Sequence, residues 1–275
     1  MTKRDWLVYI NLNFIRLSRS IAFNFSHVFE GVIWNIKVSD EGDLMVIEAR
    51  DHILRKVRFS AFNYKLNTFL WKEKELEEPW WVNLSGVSED LALFTLYIDT
   101  NNPDKKAALA YDIVHEKLAW WNNDFSISAV TNRYVIGTAE KFGKHEMVLD
   151  ARTGELREAS SVDVRKENKV HRPNHYPEGH SYFDTVKKFL NRKFNLLPTA
   201  ALEYLEYDSL IFISCYLHEN ELANYLFVFS PDGTLLLKEI LGEHLKGIGL
   251  DTFFILSGCL FFVRNKGELV SYEIL

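Results

Sequence analysis

Three segments of the chain repeat one another when laid in register: Ala61-Phe-Asn-Tyr-Lys-Leu-Asn-Thr-Phe-Leu-Trp71, Ala110-Tyr-Asp-Ile-Val-His-Glu-Lys-Leu-Ala-Trp120 and Val148-Leu-Asp-Ala-Arg-Thr-Gly-Glu-Leu-Arg-Glu158. Each has a large apolar residue second (Phe62, Tyr111, Leu149), Asn or Asp third (Asn63, Asp112, Asp150) and an apolar residue ninth (Phe69, Leu118, Leu156). The seventh position holds Asn67, Glu116 or Gly154. The pattern reads as strand, tight turn, strand. Asn and Gly suit the positive φ of such a turn, and Glu116 suits it poorly.

A fourth copy, Leu226 to Leu237, has the turn Pro231-Asp-Gly-Thr234, and a fifth begins at Leu269-Val-Ser-Tyr272 and stops at Leu275. The spacings between Phe62, Tyr111, Leu149, Val228 and Tyr272 are 49, 38, 79 and 44 residues. Such a period is what a four-stranded propeller blade needs, since a blade buries its faces only against its neighbours. Two further strand-like runs precede each of the first three hairpins: Gly31 to Val38 with Leu44 to Ala49, Val82 to Val87 with Leu91 to Ile98, and Ser126 to Val130 with Tyr134 to Ala139. The expectation is an all-β chain, a β-propeller of five blades, or six if the 79-residue interval hides a degenerate one. A two-sheet sandwich also has short alternating strands but demands no internal repeat.

The last hairpin lacks its second strand, which predicts closure of the ring by the two ends of the chain. Trp6 to Ile15 or Ile21 to Phe25 would pair with Leu269 to Leu275 and cover its edge. Within the long interval, Ser181-Tyr-Phe-Asp184 has the pattern of a capping box. Phe183, Val186, Phe189, Leu190 and Phe194 then share one helical face, with Lys187, Lys188, Asn191 and Arg192 opposite. Residues 161–198 are therefore read as an insertion with one amphipathic helix, ended by Pro198. With 13 Gly and 6 Pro and no linker-like stretch, residues 1–275 are expected to form a single domain.

The repeat unit, above all Val148-Leu-Asp-Ala-Arg-Thr-Gly-Glu-Leu156, resembles the repeats of pyrroloquinoline-quinone-type β-propellers, with Trp71 and Trp120 where the closing Trp of those repeats falls. Glu78-Pro-Trp-Trp81, Ala223-Asn-Tyr-Leu226 and Gly247-Ile-Gly-Leu-Asp-Thr-Phe-Phe254 resemble an uncharacterised bacterial domain-of-unknown-function family, from about Gly31 onward. The resemblance implies the fold and no activity. The adjacent cysteine pair of the quinone enzymes is missing, and no cofactor is expected.

Net charge is −6, so no bulk positive field argues for nucleic acid. The most apolar run, Phe253 to Val263, is too short to span a bilayer, and no membrane span is expected. Lys3, Arg4, Asp5, Asn11 and Asn13 interrupt any apolar leader. Cys215 and Cys259 lie in apolar runs without metal or redox spacing. Buried free thiols and a cytoplasmic location follow as expectations.

Candidate chemistry is sparse. His171, His175 and His180 cluster in the insertion, but Pro173 and Pro177 oppose a regular ligand scaffold, so a loop without metal is expected. Trp80, Trp81 and Trp121 belong to two adjacent-tryptophan pairs, in which strand geometry sends one ring of each pair to the opposite face. Residues 165–193 carry eight basic against three acidic residues, so Lys187, Lys188 and Arg192 could attract a protein or other anionic partner. The favoured reading is a non-enzymatic binding or scaffold propeller. The alternative is a metal-dependent hydrolase with its site at the channel mouth.

Overall fold

The computed structural model describes residues 19–275 apart from 41, 100, 140–144, 158–168 and 219. The chain divides into two compact units: Phe25–His171 with Phe262–Val270, and Arg172–Phe261 with Ser271–Leu275 and the described residues up to Asn24.

The first described strand is β1 (Ile21–Val28). It is followed by β2 (Val32–Val38), β3 (Leu44–Asp51), β4 (Lys56–Asn63) and β5 (Thr68–Lys74), which pair in that order as an antiparallel sheet. A second sheet repeats the scheme with β6 (Val82–Ser88), β7 (Leu91–Tyr97), β8 (Lys106–Asp112) and β9 (Lys117–Asn122). A third has β10 (Ser126–Val130), β11 (Tyr134–Thr138), β12 (Glu146–Asp150) and β13 (Leu156–Arg157).

The two-residue side-chain period explains how these sheets pack. On β7, Ala92, Phe94 and Leu96 join one core cluster with Val46, Phe59 and Trp71. Leu91 and Leu93 point the other way, into a cluster with Phe125, Val135 and Leu149. The middle sheet is thus buried on both faces, which is why its second strand reads as the near-continuous run Leu-Ala-Leu-Phe-Thr-Leu. Each fully buried Leu or Phe contributes roughly 1.5–3 kcal/mol from burial. The edge strand β9 is mostly exposed.

Each hairpin turn is closed by the Asn or Asp at the third repeat position. Asn63 Oδ1 accepts from the N–H groups of Lys65 and Leu66, Asp112 Oδ1 from Val114 and His115, and Asp150 Oδ1 from Arg152 and Thr153. The seventh position has positive φ in all three: 52° at Asn67, 53° at Glu116 and 73° at Gly154. Glu116 adopts the left-handed conformation despite its side chain. Its carboxylate is held by Lys74 Nζ at 2.7 Å, a contact from the neighbouring sheet that the local sequence does not reveal.

The other unit contains β15 (Asn174–Pro177), the helix α1 (Ser181–Phe194), β16 (Thr199–Tyr207), β17 (Leu210–His218), β18 (Leu222–Phe229) and β19 (Leu235–Gly242). Its five strands pair in chain order. Helix α1 lays Phe183, Val186 and Leu190 on Leu202, Ile213, Cys215 and Phe227, the apolar face that the periodicity predicts. The cap differs from expectation. His180 is the N-cap, accepting the Tyr182 N–H on its ring nitrogen, so Ser181 lies inside the first turn. The helix ends at Asn195, left-handed at φ 54°, before Pro198 is reached.

The remaining strands are β14 (Val170–His171), β20 (Phe253–Leu256), β21 (Cys259–Arg264) and β22 (Glu268–Ile274). They join β1 in a sheet of order β1–β22–β21–β20–β14. Ile21 to Phe25 is thus the segment beside the last strand: Ser20 and Leu275 exchange backbone bonds at 2.9 and 3.2 Å. Trp6 to Ile15 lies outside the described residues, as do residues 161–168 of the expected insertion. The rest of that segment is partly sheet, since β14 and β15 form where a loop is expected. The described residues form five separate sheets, a number that a two-sheet sandwich does not accommodate. The 79-residue interval contributes α1 and extra strands instead of a sixth sheet among the described residues.

Candidate functional site

A charged pair interrupts the buried strand β3. Glu48 and Arg50, two residues apart and hence on one face, are both buried. Arg50 Nε donates to Glu48 Oε1 at 2.6 Å, and its Nη2 donates to Val82 O at 2.6 Å and Asn83 Oδ1 at 2.7 Å. Glu48 Oε2 accepts the Leu84 N–H at 2.8 Å. Burial pushes the Glu48 carboxyl above its ordinary value, against the opposing pull of the Leu84 N–H and of Arg50. The pair stitches β3 to the start of β6 and fixes the guanidinium in one place.

Around that guanidinium stands a set of aromatic rings. Its carbon lies 5.6 Å from the Trp34 ring centroid and 5.3 Å from that of Trp80. Arg55 lies 5.9 Å from Trp80 and 6.0 Å from Trp81, and the His52 ring is 5.9 Å from Trp34 and 5.4 Å from Trp80. Local hydrogen bonds set the supports. Glu78 Oε1 accepts the N–H groups of both Trp80 and Trp81, and Asp51 Oδ1 accepts those of Ile53 and Leu54 in the β3–β4 turn. Trp34 is 60% exposed, Trp81 39%, Leu54 61% and Ile53 93%. The result is an exposed face of alternating aromatic and cationic groups edged by two bare aliphatic side chains.

Trp80 and Trp81 are the two sequence-identified residues brought together here. Trp121 is exposed on β9, its indole N–H bonded to Asn123 Oδ1, and does not join them. Trp34 on β2 and His52 and Arg55 in the β3–β4 turn escape sequence reading because they lie far along the chain from Trp80 and Trp81. The Glu-Ala-Arg run inside an apolar strand is the local signal that something charged is buried there.

The three histidines have separate roles. His171 is exposed on β14, His175 is half-buried on β15 with Nδ1 lacking a hydrogen-bond partner among the described residues, and His180 caps α1 while stacking with Tyr182. Among the described residues no group of three His, Cys, Asp or Glu side chains is placed to hold a metal ion. On α1, Lys187 is drawn to Glu178 at 3.4 Å and Lys193 donates to the Asp232 and Gly233 carbonyls, while Lys188 and Arg192 are exposed.

A second buried carboxylate works as Glu48 does. In the other unit Glu203 on β16 accepts the N–H groups of Asp251 at 2.6 Å and Thr252 at 2.9 Å, and burial likewise raises its carboxyl. Both cysteines are free, and burial pushes the Cys215 thiol up to about 12. Among the described residues no helix is long and apolar enough to cross a membrane.

Among solved structures, the chain is similar to the β-propeller domain of the Trilobed protease from Pyrococcus furiosus, at 10% identity over 86% of this chain and TM-score 0.33. It spans 64% of that domain. It is also similar to BamB from Moraxella catarrhalis, at 10% identity, 88% and 83% coverage and TM-score 0.25. A europium-containing methanol dehydrogenase matches at 11% identity, 90% and 52% coverage and TM-score 0.29. Scores this low leave the fold to be read from the strand pairing. No protein of curated function matches the chain in sequence. Residues 38–120, which hold the aromatic–cationic face except Trp34, match a family described as a domain of unknown function (DUF4905).

Proposed function

We propose that the chain is a non-enzymatic binding module, a five-bladed β-propeller formed as one domain with residues 161–198 as an insertion, and that the face of Trp34, Trp80, Trp81 and Arg55 is its recognition surface. Five antiparallel sheets, four of them pairing their strands in chain order and the fifth setting β1 beside β22, support such a ring. A cytoplasmic location suits its two unpaired thiols. Nothing in the placement of the histidines favours the hydrolase alternative.

The interleaving of Arg and Trp carries the functional reading. Trp and Arg are the residues that dominate binding hot spots, and here Glu78 holds the backbone of Trp80 and Trp81 while Arg50 is fixed beneath Trp34 and Trp80. Arg55 makes no ion pair with a described residue, so the face offers a positive charge beside aromatic planes and the bare Ile53 and Leu54. The occupant of matching chemistry is an extended peptide of a protein partner that combines a proline or aliphatic side chain with a carboxylate. Lys188 and Arg192 on α1 are a second, weaker attraction for an anionic partner.

Fluorescence polarisation with a panel of labelled ten-residue peptides tests this, pairing Pro and Leu with Asp or Glu in one set and with Lys in another. Acidic members should bind, and Trp81→Ala and Arg55→Glu should each weaken them at least about ten-fold, a hot-spot loss. No binding by any acidic member, or binding indifferent to both substitutions, would overturn the reading.

A further inference from the structure

The first strands of the three sheets in the Phe25–His171 unit share an irregularity. The register slips by one residue between Ile33 and Asn35 on β2, between Leu84 and Gly86 on β6, and between Ile127 and Ala129 on β10. The bulged residues are Trp34, Ser85 and Ser128. All three line one cavity of about 230 Å³. A bulge re-aims a side chain at the expense of ladder pairing, and three at equivalent places aimed at one space are a built feature.

The wall of this cavity is chemically one-sided. Among the described residues Glu48 is its only acidic side chain, and both its oxygens are committed, to Arg50 and to the Leu84 N–H. Lys37 and Lys106 also line it. The Lys106 ammonium stands 5.5 Å from the Tyr97 ring and forms no ion pair with a described residue. Hydroxyl donors remain as well. Tyr97 Oη accepts from Asn83 Nδ2 at 3.2 Å, which leaves its own hydrogen to donate. Ser85 and Thr95 share one hydrogen bond at 2.7 Å, so one of their two hydroxyl hydrogens is uncommitted.

We infer that this cavity binds a small oxyanion, a phosphate or a short dicarboxylate. The Lys106 ammonium and at least two hydroxyl donors line the cavity, beside a carboxylate already held by Arg50 and acted on by Lys37. The volume corresponds to about seven or eight waters at ~30 Å³ each, too little for a nucleotide and ample for such an ion. The cavity shares Trp34 with the peptide face, but its test rests on Lys106 and Tyr97, which that face does not include.

Isothermal titration calorimetry of the full chain with sodium phosphate and, separately, sodium malonate, against sodium chloride of equal ionic strength, is the direct experiment. One or both should give a saturable single-site isotherm, and the two arms decide between phosphate and carboxylate. Lys106→Met should weaken that binding at least about ten-fold, as loss of a charged hydrogen-bond partner does. Tyr97→Phe keeps the ring packing and should weaken it about three- to ten-fold. The bound anion should also raise the melting temperature of the native chain and fail to raise that of Lys106→Met. If Lys106→Met does not fold, Tyr97→Phe decides alone. No saturable heat with either anion up to ~20 mM, or equal affinity in the folded variants, would overturn the proposal.

Discussion

Trp120 donates its indole N–H to the backbone carbonyl of Ala151 at 2.7 Å, from the outer strand of one sheet to the turn of the next. Trp71 does the same to Ile113 at 2.9 Å, one repeat earlier. In each case the acceptor is the residue after the turn-closing Asp, so the side chain that ends one repeat locks the turn of its successor.

Trp120→Phe should therefore cost about 1–3 kcal/mol, because the Ala151 carbonyl loses its indole partner. Gly154→Ala should reach the same latch from the other side. Gly154 has φ +73°, and an added Cβ would lie 2.8 Å from the Trp120 ring. Urea unfolding of both variants and of the pair checks this: the two losses should be less than additive, since each disrupts one contact. Full additivity would separate the turn from the indole.

Acid sensitivity should trace in part to the same turns. Partial burial pushes the Asp150 carboxyl up, but the N–H of Thr153, Arg157 and the N–H of Arg152 outweigh it and hold it below its ordinary 3.8. Asp112 is lowered in the same way by its bonds to His115 and Val114, again against burial. A depressed carboxyl gives stability that is present above its unfolded value and lost as pH falls through the folded one. Asp112→Asn with Asp150→Asn should flatten the acid limb of a stability–pH curve and lower stability at neutral pH by what the two charges contributed, the amides keeping the turn hydrogen bonds as Asn63 does in the first turn. An unchanged acid limb would count against this assignment.

Cys215 should resist thiol reagents in the native protein. Its side chain is fully buried and its thiol is pushed up to about 12, so almost no thiolate exists at neutral pH. Labelling should track global unfolding in denaturant, with Cys259, half-buried and raised less, reacting earlier. Rapid modification of Cys215 in buffer would mean that the β17 core opens locally.

A chain starting at Gly31 should melt well below the full-length protein. It loses β1, and with it the Ser20–Leu275 backbone bonds and the Phe23–Tyr272 edge contact at 5.6 Å, and it leaves β22 as a bare edge. Differential scanning calorimetry decides; equal melting temperatures would show that the strand contributes nothing to stability.

The hairpin repeat could be read along the chain because it is local: an Asn or Asp caps N–H groups two and three residues ahead, and strand alternation needs only neighbours. The apolar face of α1 was legible for the same reason. Its cap was not, since His180, its ring against Tyr176 and Tyr182, takes the place the adjacent serine would have. Glu116 shows the limit within the repeat itself, where Lys74 from another sheet supports a turn that local preference disfavours. The candidate face lay further out of reach. Sequence marked Trp80 and Trp81, but Trp34, His52, Arg50 and Arg55 join them only because β2, β3 and the segment before β6 are neighbours in space, and the three bulges meet at one cavity for the same reason. Local hydrogen bonding and side-chain period are fixed by residues a few positions apart, whereas desolvation, charge pairing and cavity shape depend on which distant strands the packed core brings side by side.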